Sequence, residues 1–163
     1  MGKEIERKFL VNVENFQFAK DLSKCLIIEI IQGYLSDDKN KVVRIRLEKT
    51  FKDVAYITIK SSVTGISRDE FEYEIPYNDG LELIKLCDKV IEKTRYKYYP
   101  VVNLKSYWEI DIFKGDNEGL IVAEIELENE DEVFYKPDWI LEEVTGDPIY
   151  YNSNLVNYPY KTW

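Results

Sequence analysis

The stretch GKEIERKFLV, Gly2–Val11, constrains this 163-residue chain more than any other. Glu4, Glu6 and Lys8 fall at every second position. In a β-strand such residues share one face, while Ile5 and Phe9 point the other way with Arg7 between them. An antiparallel sheet usually turns its charged face to water. Which way this face turns decides what the chain can do.

The same alternation returns along the chain. Strands are expected over residues 27–35, 41–49, 54–62, 67–75, 90–98, 105–114 and 120–128, eight in all with the first. Asn12 or Asn15 caps a helix over 14–22. Asn78 caps another running to about residue 86, with Leu81, Ile84 and Cys87 on its apolar stripe. The tail is expected to hold short helical pieces over 130–134 and 138–144, and a third near Asp147. No repeat or linker divides the chain, so residues 1–163 read as a single domain.

Seven strands carry charges on one face: acids Glu4, Glu6, Glu70, Glu72, Asp111, Glu124 and Glu126, and bases Lys8, Arg44, Arg46, Lys60, Arg68, Lys93 and Arg95. Alternation alone also fits a sandwich with its charged faces in solvent. Two features favour the opposite arrangement. The signs are nearly balanced on strand after strand. The helices also need a sheet face to pack on, and only the apolar face is offered. The expected fold is therefore α+β, mainly β: an eight-stranded antiparallel barrel with a charged interior and helices outside. Such a barrel has room for one small ligand. A membrane barrel also alternates this way, but Arg7, Asp69 and Glu92 on the apolar face argue against it.

Composition narrows the chemistry. There is no histidine, so a metal site must be built from oxygens, which suits magnesium, manganese or calcium. Cys25 and Cys87 form no CxxC pair and are expected to be reduced and structural. The net charge of −9 resides in residues 124–147, which hold ten acids and one lysine. The remainder is balanced and shows no basic stripe, which argues against a nucleic-acid partner. No apolar run approaches about 18 residues and no leader pattern opens the chain, so the expectation is a cytoplasmic protein without a membrane partner. Lysines and arginines converging in a tunnel suit phosphate oxygens. Carboxylates beside them suit a hard divalent cation. Together they read as a metal–polyphosphate site.

The residues also resemble a family, the CYTH superfamily of triphosphate tunnel metalloenzymes. The likeness begins with the ExExK array in EIERKFLV and continues in order through QGYL, RIR, the lysine of TIK, SRDEFEYEI, EKTRY, EIDIF, VAEIELE and EEVTGD. It covers nearly the whole chain. It implies metal held by Glu4, Glu6, Glu124 and Glu126 with Asp111, and Mg2+ or Mn2+ as the cofactor. It implies phosphates gripped by Lys8, Arg44, Arg46, Lys60, Lys93 and Arg95; Arg68 joins them as a tunnel base. Glu70 and Glu72 would support the arginines. A Lys60–Tyr34 pair would transfer the proton. Lys49, Lys52 and Lys97 read as surface charges. Members of the family often carry a basic residue where this chain has Ile149, so the C-terminal segment is expected to plug one mouth rather than touch phosphate.

The implied activity is hydrolysis of a small triphosphate, foremost inorganic tripolyphosphate, in the manner of the short bacterial members, with a homodimer as the expected assembly. A class IV adenylyl cyclase, a thiamine or nucleoside triphosphatase, and a non-catalytic polyphosphate-binding module are the alternatives.

Overall fold

The computed structural model describes residues 2–18, 25–38, 40–62, 67–100 and 107–163. Among the described residues, nine strands make one antiparallel sheet: β1 (Gly2–Val11), β2 (Cys25–Asp38), β3 (Lys41–Lys49), β4 (Asp53–Ser61), β5 (Ser67–Ile75), β6 (Val90–Tyr98), β7 (Trp108–Phe113), β8 (Ile121–Glu126) and β9 (Ile140–Glu143). Eight of them close into a barrel in the order β5-β4-β3-β2-β6-β7-β8-β1. β1 seals the ring by changing partner along its length. Its residues 2–5 pair with β5, and residues 6–10 pair with β8. Closure removes the unpaired edges that an open sheet would expose.

The expected alternation holds, and the charged face is the inner one. Lys8, Arg44, Lys60, Lys93, Arg95, Asp111 and Glu124 are all buried. The main apolar core lies outside the wall. Ile5 and Phe9 of β1, Trp108 and Ile110 of β7, and Ala123 and Ile125 of β8 pack with Phe16 and Trp139. Phe9, Trp108, Trp139 and Phe16 stack edge to face in series, with centroids 5.6–5.8 Å apart. The indole of Trp108 donates to the Tyr135 carbonyl at 3.1 Å, so its polar atom is not stranded.

Helix α1 (Val13–Phe18) supplies Phe16 to this core. Its start is capped as expected, with Asn12 Oδ1 accepting from the amides of Glu14 and Asn15. Residues 19–22 of the expected helix lie outside the described residues. Helix α2 (Tyr77–Ile84) covers β3 and β4, but begins after Pro76 rather than at an Asn78 cap. Proline fixes the entry angle, and the Pro76 carbonyl takes the first helical bond, from Gly80. The contact face keeps Ile84 and Cys87 of the expected stripe, both set against Gly33, but not Leu81. Leu81 sits at the rim, 36% exposed, while Gly80 meets the wall. A Cβ on Gly80 would stand 2.5 Å from that of Ala55, and one on Gly33 would stand 2.7 Å from that of Cys87. Two glycines thus let helix and sheet approach closely.

The tail departs from the helical reading. Residues 130–134 form turns and extended chain. The run of acids there repels itself, and Phe134 leaves to pack on Phe9 and Trp108. Residues 138–144 contain β9 instead of a helix, because the outer edge of β1 beyond its β5 pairing needs partners. Val144 donates to the Lys8 carbonyl and Asn12 to that of Trp139, both at 2.8 Å. After Asp147, whose side chain accepts from the Ile149 amide, come a 3₁₀ turn (Pro148–Tyr150) and α3 (Asn152–Leu155). Leu155 joins Ile91, Phe113, Leu120 and Val122, with Leu10 against them, at the end of the barrel where β6, β7 and β8 meet the C-terminal segment. No helix among the described residues is long and apolar enough to cross a membrane.

Gly80→Val tests the close contact. Overpacking costs about 1–3 kcal/mol, more than the few tenths that valine's helix propensity returns over glycine. The unfolding midpoint in urea should fall. An unchanged midpoint would show that the helix does not sit this close.

Candidate active site

Strand register brings opposite charges into the same layers of the tunnel. In one group, Glu4 faces Arg68 across β1 and β5, and Lys60 faces Glu70 across β4 and β5. Arg68 Nε donates to Glu4 at 2.7 Å, and Lys60 Nζ reaches both Glu4 and Glu70 at 3.0 Å. Burial raises the Glu4 carboxyl, but Lys60 and Arg68 outweigh it and hold the group well below the usual range. Glu70 is pushed up by burial.

A second group centres on Glu72. One of its oxygens accepts from Arg44 at 3.1 Å, Arg46 at 2.8 Å and Thr58 at 2.8 Å. Glu48 also pairs with Arg46. The Nε atoms of Arg44 and Arg46 are buried and have no partner, as does the Gln32 side-chain oxygen. Buried guanidinium donors left without an acceptor fit an anion that would come to meet them.

The third group is the deepest. Asp111, fully buried, accepts from Lys93 at 2.5 Å and from Nε and Nη2 of Arg95 at 2.7 Å each. Arg95 also reaches Glu124 at 3.1 Å and pairs with Glu109. Lys8 meets Glu124 at 2.9 Å. Burial opposes ionisation of Glu124, but Lys8 and Arg95 hold its carboxyl well below the ordinary value. Burial presses Lys93 down to about 8 despite Asp111.

Two carboxylates differ from the rest. Glu6 and Glu126 are direct cross-strand partners, so their Cβ atoms stand about 5 Å apart. Glu6 has a cation only at 3.8 Å, in Lys8. Burial, with Glu124 adding repulsion, raises it to about 7. Glu126 is exposed and is raised by its partial burial and by Glu4 and Glu70. Among the described residues, no group of three acidic, histidine or cysteine side chains is gathered to hold a metal. Glu4 and Glu124 are turned to cations instead, and Asp111 is engaged by Lys93 and Arg95.

Tyr34 and Lys60 both face the interior but have different partners. Tyr34 Oη accepts from Gln32 Nε2 at 3.0 Å, and Lys60 bonds Glu4. Burial raises the tyrosine and lowers the lysine, with Arg44 next to it adding to the second effect.

Some members of the network escaped the sequence reading. Lys97 is no ordinary surface charge: it is half-buried, bonded to Glu109 at 3.2 Å and set over the Tyr107 ring. The two-residue spacing of Lys93, Arg95 and Lys97 was the available signal. Lys49 and Lys52 are exposed, as read. Ile149 donates its amide to the Asp147 side chain at 3.1 Å, whereas its neighbour Tyr150 offers its carbonyl to Lys8 at 3.3 Å. The EEVTGD motif serves β1: Glu143 pairs with Arg7, and Thr145 accepts from the Lys8 amide.

Comparisons with known proteins agree with this arrangement. The model of the CYTH domain matches residues 2–154. An inorganic triphosphatase of Acetivibrio thermocellus is 51% identical, over 100% of this chain and 99% of that protein. One from Nitrosomonas europaea is 34% identical, over 93% and 95%. The crystal structure of the inorganic triphosphatase NE1496 superposes with a TM-score of 0.62 at 30% identity, covering 96% of this chain and 95% of that one.

Asp111→Asn removes the charge that serves two buried cations. Breaking such a buried pair costs about 3–5 kcal/mol. The unfolding free energy from urea titration should drop by that order. A loss below about 1 kcal/mol would mean that Lys93 and Arg95 are held by other groups.

Proposed function

The chain belongs to the CYTH domain family, and on that footing we propose that it hydrolyses inorganic tripolyphosphate with a divalent cation, Mg2+ or Mn2+. The observation that carries the reading is the set of buried cations, with a guanidinium Nε–H of Arg44 and of Arg46 unpartnered, together with two facing carboxylates, Glu6 and Glu126, for which the one cation within 4 Å among the described residues is Lys8, 3.8 Å from Glu6.

Lys8, Arg44, Arg46, Lys60, Arg68, Lys93 and Arg95 would grip the phosphates. In exchange they would loosen their bonds to Glu4, Glu70, Glu72, Asp111 and Glu124. The donor set for a cation is all oxygen, which fits a hard divalent metal. Glu6 and Glu126 would hold it, with Glu4, Glu124 and Asp111 contributing as phosphate takes over their cations. A bound cation supplies neutralisation of phosphate oxygens and a lowered pKa for a coordinated water.

The chain's own part is positioning and proton transfer. Burial and Arg44 lower the Lys60 ammonium from its ordinary value against the pull of Glu4 and Glu70, so Lys60 would take the proton of the attacking water once phosphate has displaced those two carboxylates. The raised Tyr34 keeps its proton and donates a hydrogen bond to a phosphate oxygen. Water adds to a terminal phosphorus and the bond to the bridging oxygen breaks. The basic side chains balance the charge that grows on the departing pyrophosphate.

The test supplies purified protein with Mg2+ or Mn2+ and tripolyphosphate, ATP or thiamine triphosphate. Phosphate, pyrophosphate and cyclic AMP are then measured. Tripolyphosphate should be the best substrate, yielding phosphate and pyrophosphate, and chelation with EDTA should abolish turnover. Cyclic AMP as the main product from ATP would replace this reading with a cyclase. Glu6→Gln should weaken metal activation by at least about tenfold. Arg46→Ala should mainly raise KM, by about tenfold or more, the worth of one charge-assisted hydrogen bond. An unchanged metal response in Glu6→Gln would remove Glu6 from the metal site.

A further inference from the structure

Two lysines of the deepest charge group are also touched from outside the strand network. The C-terminal segment offers the Tyr150 carbonyl to Lys8 Nζ at 3.3 Å and the Asn152 side-chain oxygen to Lys93 Nζ at 3.4 Å. This segment is firmly fastened. Leu155 is buried in the apolar cluster at this end of the barrel. Asn117, buried in the turn between β7 and β8, uses both ends of its amide on the segment. It donates to the Leu155 carbonyl at 3.3 Å and accepts from the Tyr160 amide at 2.8 Å.

We propose that Asn152 is a positioning residue for Lys93, held at its station by the strap that Asn117 fastens. Lysine is a point charge on a flexible stem, so its rotamer must be set by its acceptors. Asp111, at 2.5 Å, draws Nζ toward the wall. Asn152 adds an acceptor from the C-terminal segment and fixes the ammonium between the two. An amide suits this place because it orients the lysine without a second negative charge to compete with phosphate. A carboxylate there would hold the lysine away from substrate. Asn117 does the same work one step removed: both its bonds end on backbone atoms of the strap, beyond Asn152. The inference rests on the reading of Lys93 as a phosphate ligand.

A double-mutant cycle tests it, with KM and kcat for tripolyphosphate measured at saturating Mg2+ and thermal melting as the check on folding. Asn152→Ala should raise KM about fivefold with kcat within about twofold, the size of coupling seen between contacting residues. Asn152→Asp should raise KM further. In the Lys93→Ala background, Asn152→Ala should change KM by less than about twofold. Asn117→Ala should shift KM in the same direction as Asn152→Ala; if it fails to fold, the Asn152 cycle alone decides. An equal rise in KM with and without Lys93 would overturn the proposal and leave Asn152 a merely structural residue. No rise in either background would also overturn it. If instead Lys93→Ala by itself left KM unchanged, the phosphate-ligand reading would fail at Lys93.

Discussion

A charge withdrawn from water needs another charge to meet it, and this barrel withdraws charges on almost every strand. Each ion carries a desolvation cost of several kcal/mol, and only close pairing offsets it. The strand register provides that pairing. Lys8 faces Glu124 across β1 and β8, and Arg95 faces Asp111 across β6 and β7. A slip of one residue would turn a charged face outward and bury an apolar one. Register, closure and ion pairing therefore stand or fall together. The apolar core has moved outside, where Phe9, Trp108 and Trp139 brace the wall that the interior does not hold by packing.

The same constraint explains how a site survives without collapsing into neutral pairs. Most carboxylates are fully engaged, so most cations have a resting partner. The pairing stops short at two places. Arg44 and Arg46 keep buried N–H groups unused, and Glu6 and Glu126 meet across β1 and β8 with little cationic help. On the proposed reading, the first place would take the anion and the second the cation. A triphosphate with its metal would complete both. The resting pairs then act as stand-ins, with Glu72 holding two arginines in the geometry that a phosphate oxygen would take over.

Much of this was legible from period-two alternation. The bounds of β1, β3, β5 and β6 follow from it directly, because a strand with opposite faces in opposite environments leaves a regular trace. The inward direction needed a further argument, that the helices must cover the apolar side. Other features leave no such trace. β9 is four residues long and exists because the edge of β1 requires backbone partners. The Pro76 start of α2 and the role of Gly80 depend on which face meets Ala55. Lys97 and Glu109 were visible in the pattern but fell at the ends of their strands, where alternation cannot tell lining from rim. Which glutamates are neutralised depends on side-chain partners across the tunnel. A backbone carbonyl such as that of Tyr150 has no signature at all.

On the proposed reading, the interior exchanges its own ion pairs for a triphosphate. Isothermal titration of the metal-free protein with tripolyphosphate and, separately, with orthophosphate addresses it most directly. One site per chain is expected, at least about tenfold tighter for tripolyphosphate, with affinity falling steeply as salt rises. Equal weak binding of both anions, or none, would contradict it and leave the charged interior a structural network only.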